Sequence, residues 1–397
     1  MELKFSTHNG RHEKLEEPTF LAARRCGSAG LGRRLRSGFP RRRGRDRPES
    51  QSRRGGEGEG TLKRHFEIVQ RNLEFAGNDR GLPSHLFPYL QRPLVQVLLR
   101  LAQVGYITDP PTCESRDEVL RLVLWWIPWV HDKAKASRIA FECIKPLEKG
   151  GFVRLGKEIY TKIIDGAAAS RLQPPEKIET LRLHESPTEG TRPLRGWSRF
   201  STPESDPGIN RVVREFYRSW WLGQNGRHPI LLWLQREYAR SLGGEALAGM
   251  EEDTPFDFDH ILPQAHWSWW TGFAKGQRLP DFFANDEERH YYVVGHAIGN
   301  VRIWSTSDNR SDGDASPKDK MTSHEGGPIY WMKKSAIAES QEHLWEACSP
   351  ADNADGDNKK LWDLDRAIAF QRVVENRTFD LYKRLYDEVS FEQWIES

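Results

Sequence analysis

A chain of 397 residues, 37% hydrophobic and 29% charged, can bury the cores of two or three domains. It nowhere approaches the roughly 18 uninterrupted apolar residues that a membrane-spanning helix needs, and its four cysteines (Cys26, Cys113, Cys143, Cys348) include no close pair, which excludes a CxxC zinc ribbon and a disulfide scaffold and points to a reducing, cytoplasmic setting. The formal charge of +2 hides two unlike parts: residues 1–60 hold 15 Lys/Arg against 8 Asp/Glu, a net of +7, while the remainder hold 44 against 49, a net of −5.

Residues 1–60 also hold ten glycines, and Arg41, Arg42 and Arg43 lie among Gly and Pro without apolar periodicity. This segment reads as a disordered Arg/Gly-rich extension. An arm of this kind can touch nucleic-acid phosphates. The plainer reading is a non-functional extension, or an unnatural start to a truncated reading frame. The N-terminal residues hold no secretory apolar region.

Order is expected from Thr61, with a helical region over 61–245. Residues 61–77 have a helical pattern. Leu94, Val97, Leu98 and Leu101 repeat at i, i+3, i+4 and i+7, the spacing of a buried helix face, and Pro88 and Pro93 mark its entry. Residues 118–130 form the next predicted helix. Its Trp125, Trp126 and Trp129 read as core side chains, and Pro128 should kink or end it. A third helix covers 137–147. Four prolines over 184–208 mark a long loop or linker. Helical pattern resumes over 209–221, and His228-Pro229 opens a helix on which Leu231, Leu234 and Tyr238 share a face before Gly243-Gly244 ends it. The chain closes with helices predicted over 335–348, 360–376 and 379–389.

Residues 246–397 carry the chemistry. Residues 256–262 form a short strand pattern stopped by Pro263, and the strand holds an Asp-His pair, Asp259-His260. Residues 298–303 are a second short strand with Asn300 at its entry. From Ser305 to Lys320 runs a polar stretch, read as a loop, with Asn309 nine residues after Asn300. Phosphodiester hydrolysis needs an activated water and positive charge against the developing phosphorane. A hard divalent ion such as Mg²⁺ suits this, because it takes few protein oxygens and keeps several waters. Asp259 supplies a carboxylate and Asn309 an amide oxygen. His260 titrates in the range suited to taking a proton from water, and Asn300 can accept a hydrogen bond from its ring and fix it. Asn300 and Asn309 can each also be read as an ordinary turn or loop residue.

Strand alternation places Asp259 and His260 on opposite faces, so a bend or bulge is expected there if both are to reach one phosphate. Asp257 would share the Asp259 face, as a carboxylate behind the metal or as a solvent-facing residue. The long connection over 265–296 holds His266, Trp267, Trp269, Trp270, Lys275 and Arg278. It could stack on bases and bind phosphates, or pack as an inserted helix. His266 and His296 read as spare metal ligands or, more plainly, as structural residues.

The series Asp259-His260-Ile261-Leu262-Pro263-Gln264, Ile298-Gly299-Asn300, then Asp308-Asn309-Arg310 with Lys320 downstream resembles the HNH nucleases. Its pattern is close to that of the HNH-type domain at the C-terminus of GmrSD-type modification-dependent restriction enzymes, and is similar to the HNH domain of RNA-guided nucleases too. The motifs cover about 65 residues, and the helical patterns at 228–238 and 370–385 fit the same family more loosely. The resemblance implies an α+β, mainly α fold, in which a helical domain precedes a ββα-metal nuclease core with C-terminal helices. It implies DNA cleavage in restriction or phage defence with Mg²⁺ or Mn²⁺. His260 would be the general base, Asp259 and Asn309 the metal ligands, and Asn300 and Lys320 catalytic. Lys318, Arg310 and Trp267 are the expected substrate contacts.

The full GmrSD-type architecture resembles a nucleotide-hydrolysing domain joined to this half. Neither its DGQQR-like signature nor a Walker motif is found in this sequence. A separate nucleotide-hydrolysing subunit is therefore an expected partner, or the chain is a fragment. Two readings stand: a metal-dependent endonuclease acting on DNA with or without base modification, and a non-catalytic remnant that binds nucleic acid or a partner.

Overall fold

The computed structural model describes residues 52–74, 81–110, 112–149, 154–179, 219–221, 227–242, 254–267, 294–350 and 364–395. The expected linker over 184–208, the Gly243-Gly244 stop and nearly all of the Arg/Gly-rich extension lie outside them. What is described is mainly helical, with one two-stranded antiparallel sheet.

The N-terminal helices follow the sequence pattern closely. Helix α1 (Ser52–Glu74) starts nine residues before the expected onset at Thr61. Helix α2 (Arg92–Gln103) has Pro93 in its first turn, where a missing N–H costs nothing, and buries Leu94, Val97, Leu98 and Leu101. Helix α3 (Cys113–Trp129) carries Pro128 and ends one residue later. Helix α4 (Lys133–Ile144) is capped by Asp132, whose carboxylate accepts from the Lys135 N–H. Helices α5 (Leu155–Asp165) and α6 (Pro175–Glu179) complete this part.

Tryptophan builds much of the core. Every tryptophan side chain that is described is buried. Trp129 stacks on Trp220, and Trp125 meets Trp126, Tyr160 and Trp394 edge-on. Rings packed at 5–6.5 Å contribute beyond their buried area. These rings are committed to packing rather than to stacking on bases.

The expected single helix after His228-Pro229 is two short ones, α7 (Ile230–Leu234) and α8 (Arg236–Ser241), broken at Gln235. All five residues of α7 are buried, as an all-apolar helix must be. The break frees Gln235 for another task. Its Oε1 accepts from the Ile303 N–H, and its Nε2 donates to the carbonyls of Ile303 and Lys334. The Tyr238 hydroxyl accepts from the Ser305 N–H. Side chains thus satisfy the outer edge of the second strand, where a third strand would otherwise pair.

Strand β1 (Phe256–His260) pairs with β2 (Val301–Ser305) in a continuous register from Phe256 opposite Ser305 to His260 opposite Val301. The second strand begins later than expected, because residues Ile298–Asn300 form a 3-10 turn. Helix α9 (Gln264–Trp267) follows β1. The stretch from Ser305 to Lys320, expected as loop, holds helices α10 (Thr306–Asp312) and α11 (Pro317–Ser323). Both have serine caps: Ser305 accepts from Asp308, and Ser316 forms a reciprocal capping box with Asp319.

Helix α12 (Gly327–Lys334) is an element the sequence reading does not expect, and the helix expected over 335–348 is shorter, α13 (Glu342–Ala347), preceded by a 3-10 turn at Glu339–Gln341. The two helices expected over 360–376 and 379–389 are one, α14 (Leu364–Val389), followed by α15 (Glu392–Ile395). Continuity is possible because Arg377 and Thr378, polar residues at the expected break, are buried and hydrogen-bonded.

Candidate active site

The chain leaves β1 under tight control. Asn300 is completely buried. Its Oδ1 accepts from the Leu262 N–H at 2.9 Å, and its Nδ2 donates to the carbonyls of Leu262 and Gly295 at 3.2 and 2.9 Å. Its own carbonyl accepts from the Ile261 N–H. The expected bond from Asn300 to the His260 ring is replaced by these contacts. Asn300 fixes the backbone just beyond His260 instead, standing in for ladder bonds that stop where the strand turns away.

Behind Asn300 lies α14. A Cβ on Gly299 would overlap the Val374 carbonyl oxygen, so only glycine lets the helix come this close. Arg377 is fully buried. Its Nη1 donates to the carbonyls of Ile298, Gly299 and Val301 at 2.8–2.9 Å, and its Nη2 to that of Ser335 at 2.7 Å. Burial pulls its pKa down to about 9. This clamp gave no signal in the sequence, where Arg377 is one basic residue on a long helix.

The continuous register leaves no bulge between Asp259 and His260, so they face opposite sides of the hairpin. On one side the Asp259 Oδ2 accepts from Arg302 Nε at 2.9 Å and Lys320 Nζ at 3.4 Å. Arg302, also fully buried, reaches Asp312 with Nη2 at 3.3 Å and the Ser335 hydroxyl with Nη1 at 2.9 Å. Its guanidinium lies 3.6 Å from the centroid of a Trp304 ring and 4.7 Å from one of Trp331. Lys320 also donates to the His260 carbonyl at 3.3 Å, bracing the strand end from below. Burial lowers the pKa of Lys320, and Asp259 partly offsets this. On the same face, two residues back, Asp257 Oδ2 accepts from Asn309 Nδ2 at 3.0 Å, which sets the orientation of the amide.

The opposite side is built from histidines. His260 Nε2 lies 3.1 Å from His296 Nδ1. The backbone carbonyl of His296 is 2.8 Å from Nε2 of His228, a buried residue at the start of α7. Burial, then the neighbouring His296, brings the His260 pKa down to about 4, although Asp259 opposes the shift. Burial lowers that of His296 too. At neutral pH His260 is therefore an uncharged imidazole, the form that can accept a proton.

The remaining expected residues are spread around this centre. Lys318 and Arg310 are exposed, on α11 and α10. Trp267 closes α9, and the connection from 268 to 293, with Trp269, Trp270, Lys275 and Arg278, lies outside the described residues. His266 reaches the Asp314 carbonyl with Nε2 at 2.7 Å, a structural contact.

The oxygen donors on the Asp259 face, carboxylates of Asp257 and Asp259 with the Asn309 amide, are of the hard type that Mg²⁺ takes. Among the described residues no group of three or more His, Cys, Asp or Glu side chains gathers to hold a metal. Mg²⁺ does not demand one, since one or two protein oxygens and its own waters suffice. The donor set therefore fits Mg²⁺ by chemistry.

Residues 222–372 match the family model described as GmrSD restriction endonucleases, C-terminal domain. The chain carries a domain of this family. No curated protein and no solved structure matches the chain. The GmrSD-type domain covers the hairpin, both short helices after it, α12, α13 and the first part of α14. Arg377 lies just past its end, yet holds its central turn. Among the described residues no helix is long and apolar enough to cross a membrane.

Proposed function

We propose that the GmrSD-type domain is an HNH-like, ββα-metal endonuclease that hydrolyses DNA phosphodiester bonds in a restriction or phage-defence system in the cytoplasm. The supporting observation is a coincidence of position. Within residues 222–372 an antiparallel hairpin ends on Asp259-His260, and the helix that follows brings Asn309 back to the same strand.

In this reading Asp259 and Asn309 would hold Mg²⁺ or Mn²⁺, with Asp257 setting the Asn309 amide. The ion, when bound, would polarise the scissile phosphate and stabilise the leaving oxygen. His260 takes the proton of the attacking water. Lys320, at the Asp259 carboxylate and the His260 carbonyl, adds positive charge beside the reacting phosphate. Arg310 and Lys318 bind neighbouring phosphates, and Trp267 stacks on a base. Asn300 acts through the backbone it fixes. A separate nucleotide-hydrolysing subunit is the proposed partner.

One observation favours a second reading, the non-catalytic remnant. Two cations, Arg302 and Lys320, already share one oxygen of Asp259. Both would have to tolerate a divalent ion on the same carboxylate. The test incubates supercoiled plasmid and glucosylated DNA with the full chain and Mg²⁺ or Mn²⁺, with an EDTA arm and an arm containing a nucleotide-hydrolysing subunit. Nicking that EDTA abolishes supports the nuclease. Salt-sensitive binding without cutting, in every metal and with the partner, supports the remnant.

A further inference from the structure

The bond expected between Asn300 and the His260 ring leaves a question of what holds that ring. The structure answers with His296. Its Nδ1 is 3.1 Å from His260 Nε2, with the rings tilted 60° to each other and their centroids 5.0 Å apart. The placement of His296 is itself secured. Its backbone carbonyl is held by the buried His228, and Ala297 and Ile298, the next two residues, are completely buried. Asn300 Nδ2 grips the carbonyl of Gly295 on the other side. His296 is thus anchored through backbone atoms, and its ring alone is turned towards His260.

We propose that His296 is the positioning residue of His260: its Nδ1 accepts a hydrogen bond from the His260 Nε2–H and so selects the tautomer in which Nδ1 of His260 carries the lone pair. The proposal rests on the reading of His260 as the base. In the step, the Nδ1 lone pair of His260 takes a proton from water, and the electron pair of the broken O–H bond stays on the attacking oxygen. His260 becomes an imidazolium, and its Nε2–H still donates to His296. That bond is now charge-assisted and stronger, so His296 favours the product of the proton transfer. The proton then returns to solvent from Nδ1.

The anchoring contact to His228 uses the His296 backbone, so it survives a change of the His296 side chain. His296→Ala removes the acceptor. His296→Gln returns a carbonyl oxygen that can accept from Nε2–H, and His296→Lys offers donors only. The full chain is assayed for plasmid nicking in Mg²⁺. His296→Ala should lower kcat about 10- to 100-fold with little change in KM, as for residues that orient a working group from behind. Gln should restore most of the rate and Lys none of it. A purely structural role would be served by neither or by both, and would appear in the melting temperature of the variants.

The second readout does not need activity. In ¹⁵N-histidine-labelled protein, with His260→Gln used to assign the signal, the imidazole spectrum should show His260 with its proton on Nε2, and a mixture of tautomers in His296→Ala. A His260 proton on Nδ1 in the unsubstituted protein overturns the proposal, as does an unchanged kcat in His296→Ala. If the unsubstituted protein cuts no DNA in any metal, the nuclease reading fails, while the tautomer result still decides whether His296 sets the ring.

Discussion

Replacing Arg302 with methionine should uncouple the Asp259 face of the hairpin while leaving its apolar packing nearly intact. Methionine is unbranched like the arginine stem and its thioether packs well on indole rings such as Trp304 and Trp331, so the cavity left is small. The loss is electrostatic. Asp259 keeps only Lys320, at 3.4 Å, and Asp312 keeps only the Trp304 indole N–H, at 2.9 Å. The Ser335 hydroxyl also loses its donor. Removing one partner of a buried ion pair typically costs about 3–5 kcal/mol, because the other charge stays buried without compensation. Arg302 serves two carboxylates, but Lys320 remains beside one of them, so about 4 kcal/mol is expected. Urea unfolding followed by tryptophan fluorescence measures it. The same substitution in an Asp259→Asn, Asp312→Asn background should cost at least about 1 kcal/mol less, since no carboxylate then loses its guanidinium. A loss below about 1 kcal/mol in the single variant, or an equal loss in both backgrounds, would refute the assignment of Arg302 as the neutralising group.

Asn300→Ala strands the Leu262 N–H and two carbonyls in a dry site, so it should destabilise the fold by about 3 kcal/mol or more, read by urea unfolding; a near-neutral result would mean that the turn after β1 does not depend on it. Gly299→Ala forces a methyl group into the Val374 carbonyl, and a loss of at least about 3 kcal/mol is expected, with wild-type stability showing that α14 can move away. Acid should weaken the fold through His228. Its imidazole protonates near 6.5 when unfolded but only near 4 when folded, so between these values the unfolded state binds more protons and stability falls as pH drops. The full displacement is worth about 3 kcal/mol. His228→Gln should lose less stability than the parent between pH 7 and pH 4.5, and parallel losses would show that the acid sensitivity lies elsewhere.

Where side-chain spacing alone sets an element, the sequence was enough to read it. The 94, 97, 98, 101 stripe lies on a buried helix face, and Trp125, Trp126 and Trp129 are core residues, because period and hydrophobicity are local properties. The order of motifs around Asp259, Asn300 and Asn309 was legible for the same reason. Partners were not. Asn300 reads as a residue poised to hold a nearby histidine, but its targets are backbone groups, at Leu262 across 38 residues and at Gly295, and backbone groups leave no mark in sequence. Arg302 and Arg377 look like surface cations on a strand and a helix. Both are completely buried, one by two carboxylates and two indoles, the other by four carbonyls. The helices at 306–312 and 317–323 were hidden by their shortness: seven residues give too few turns for periodicity, and only the serine caps announce them. The expected bulge at Asp259 followed from requiring both motif residues on one phosphate. The ladder is regular, and the two residues lie on opposite faces of a strand that ends between them and Pro263.

The most direct measurement compares the unsubstituted protein with His260→Ala, matched in melting temperature, for the rate of plasmid nicking in saturating Mg²⁺. The expected result is measurable cleavage that falls at least about 100-fold in the variant, the loss typical of a missing general base. Equal rates in the two proteins, or no cleavage by either under any divalent metal, would contradict a nuclease centre at His260.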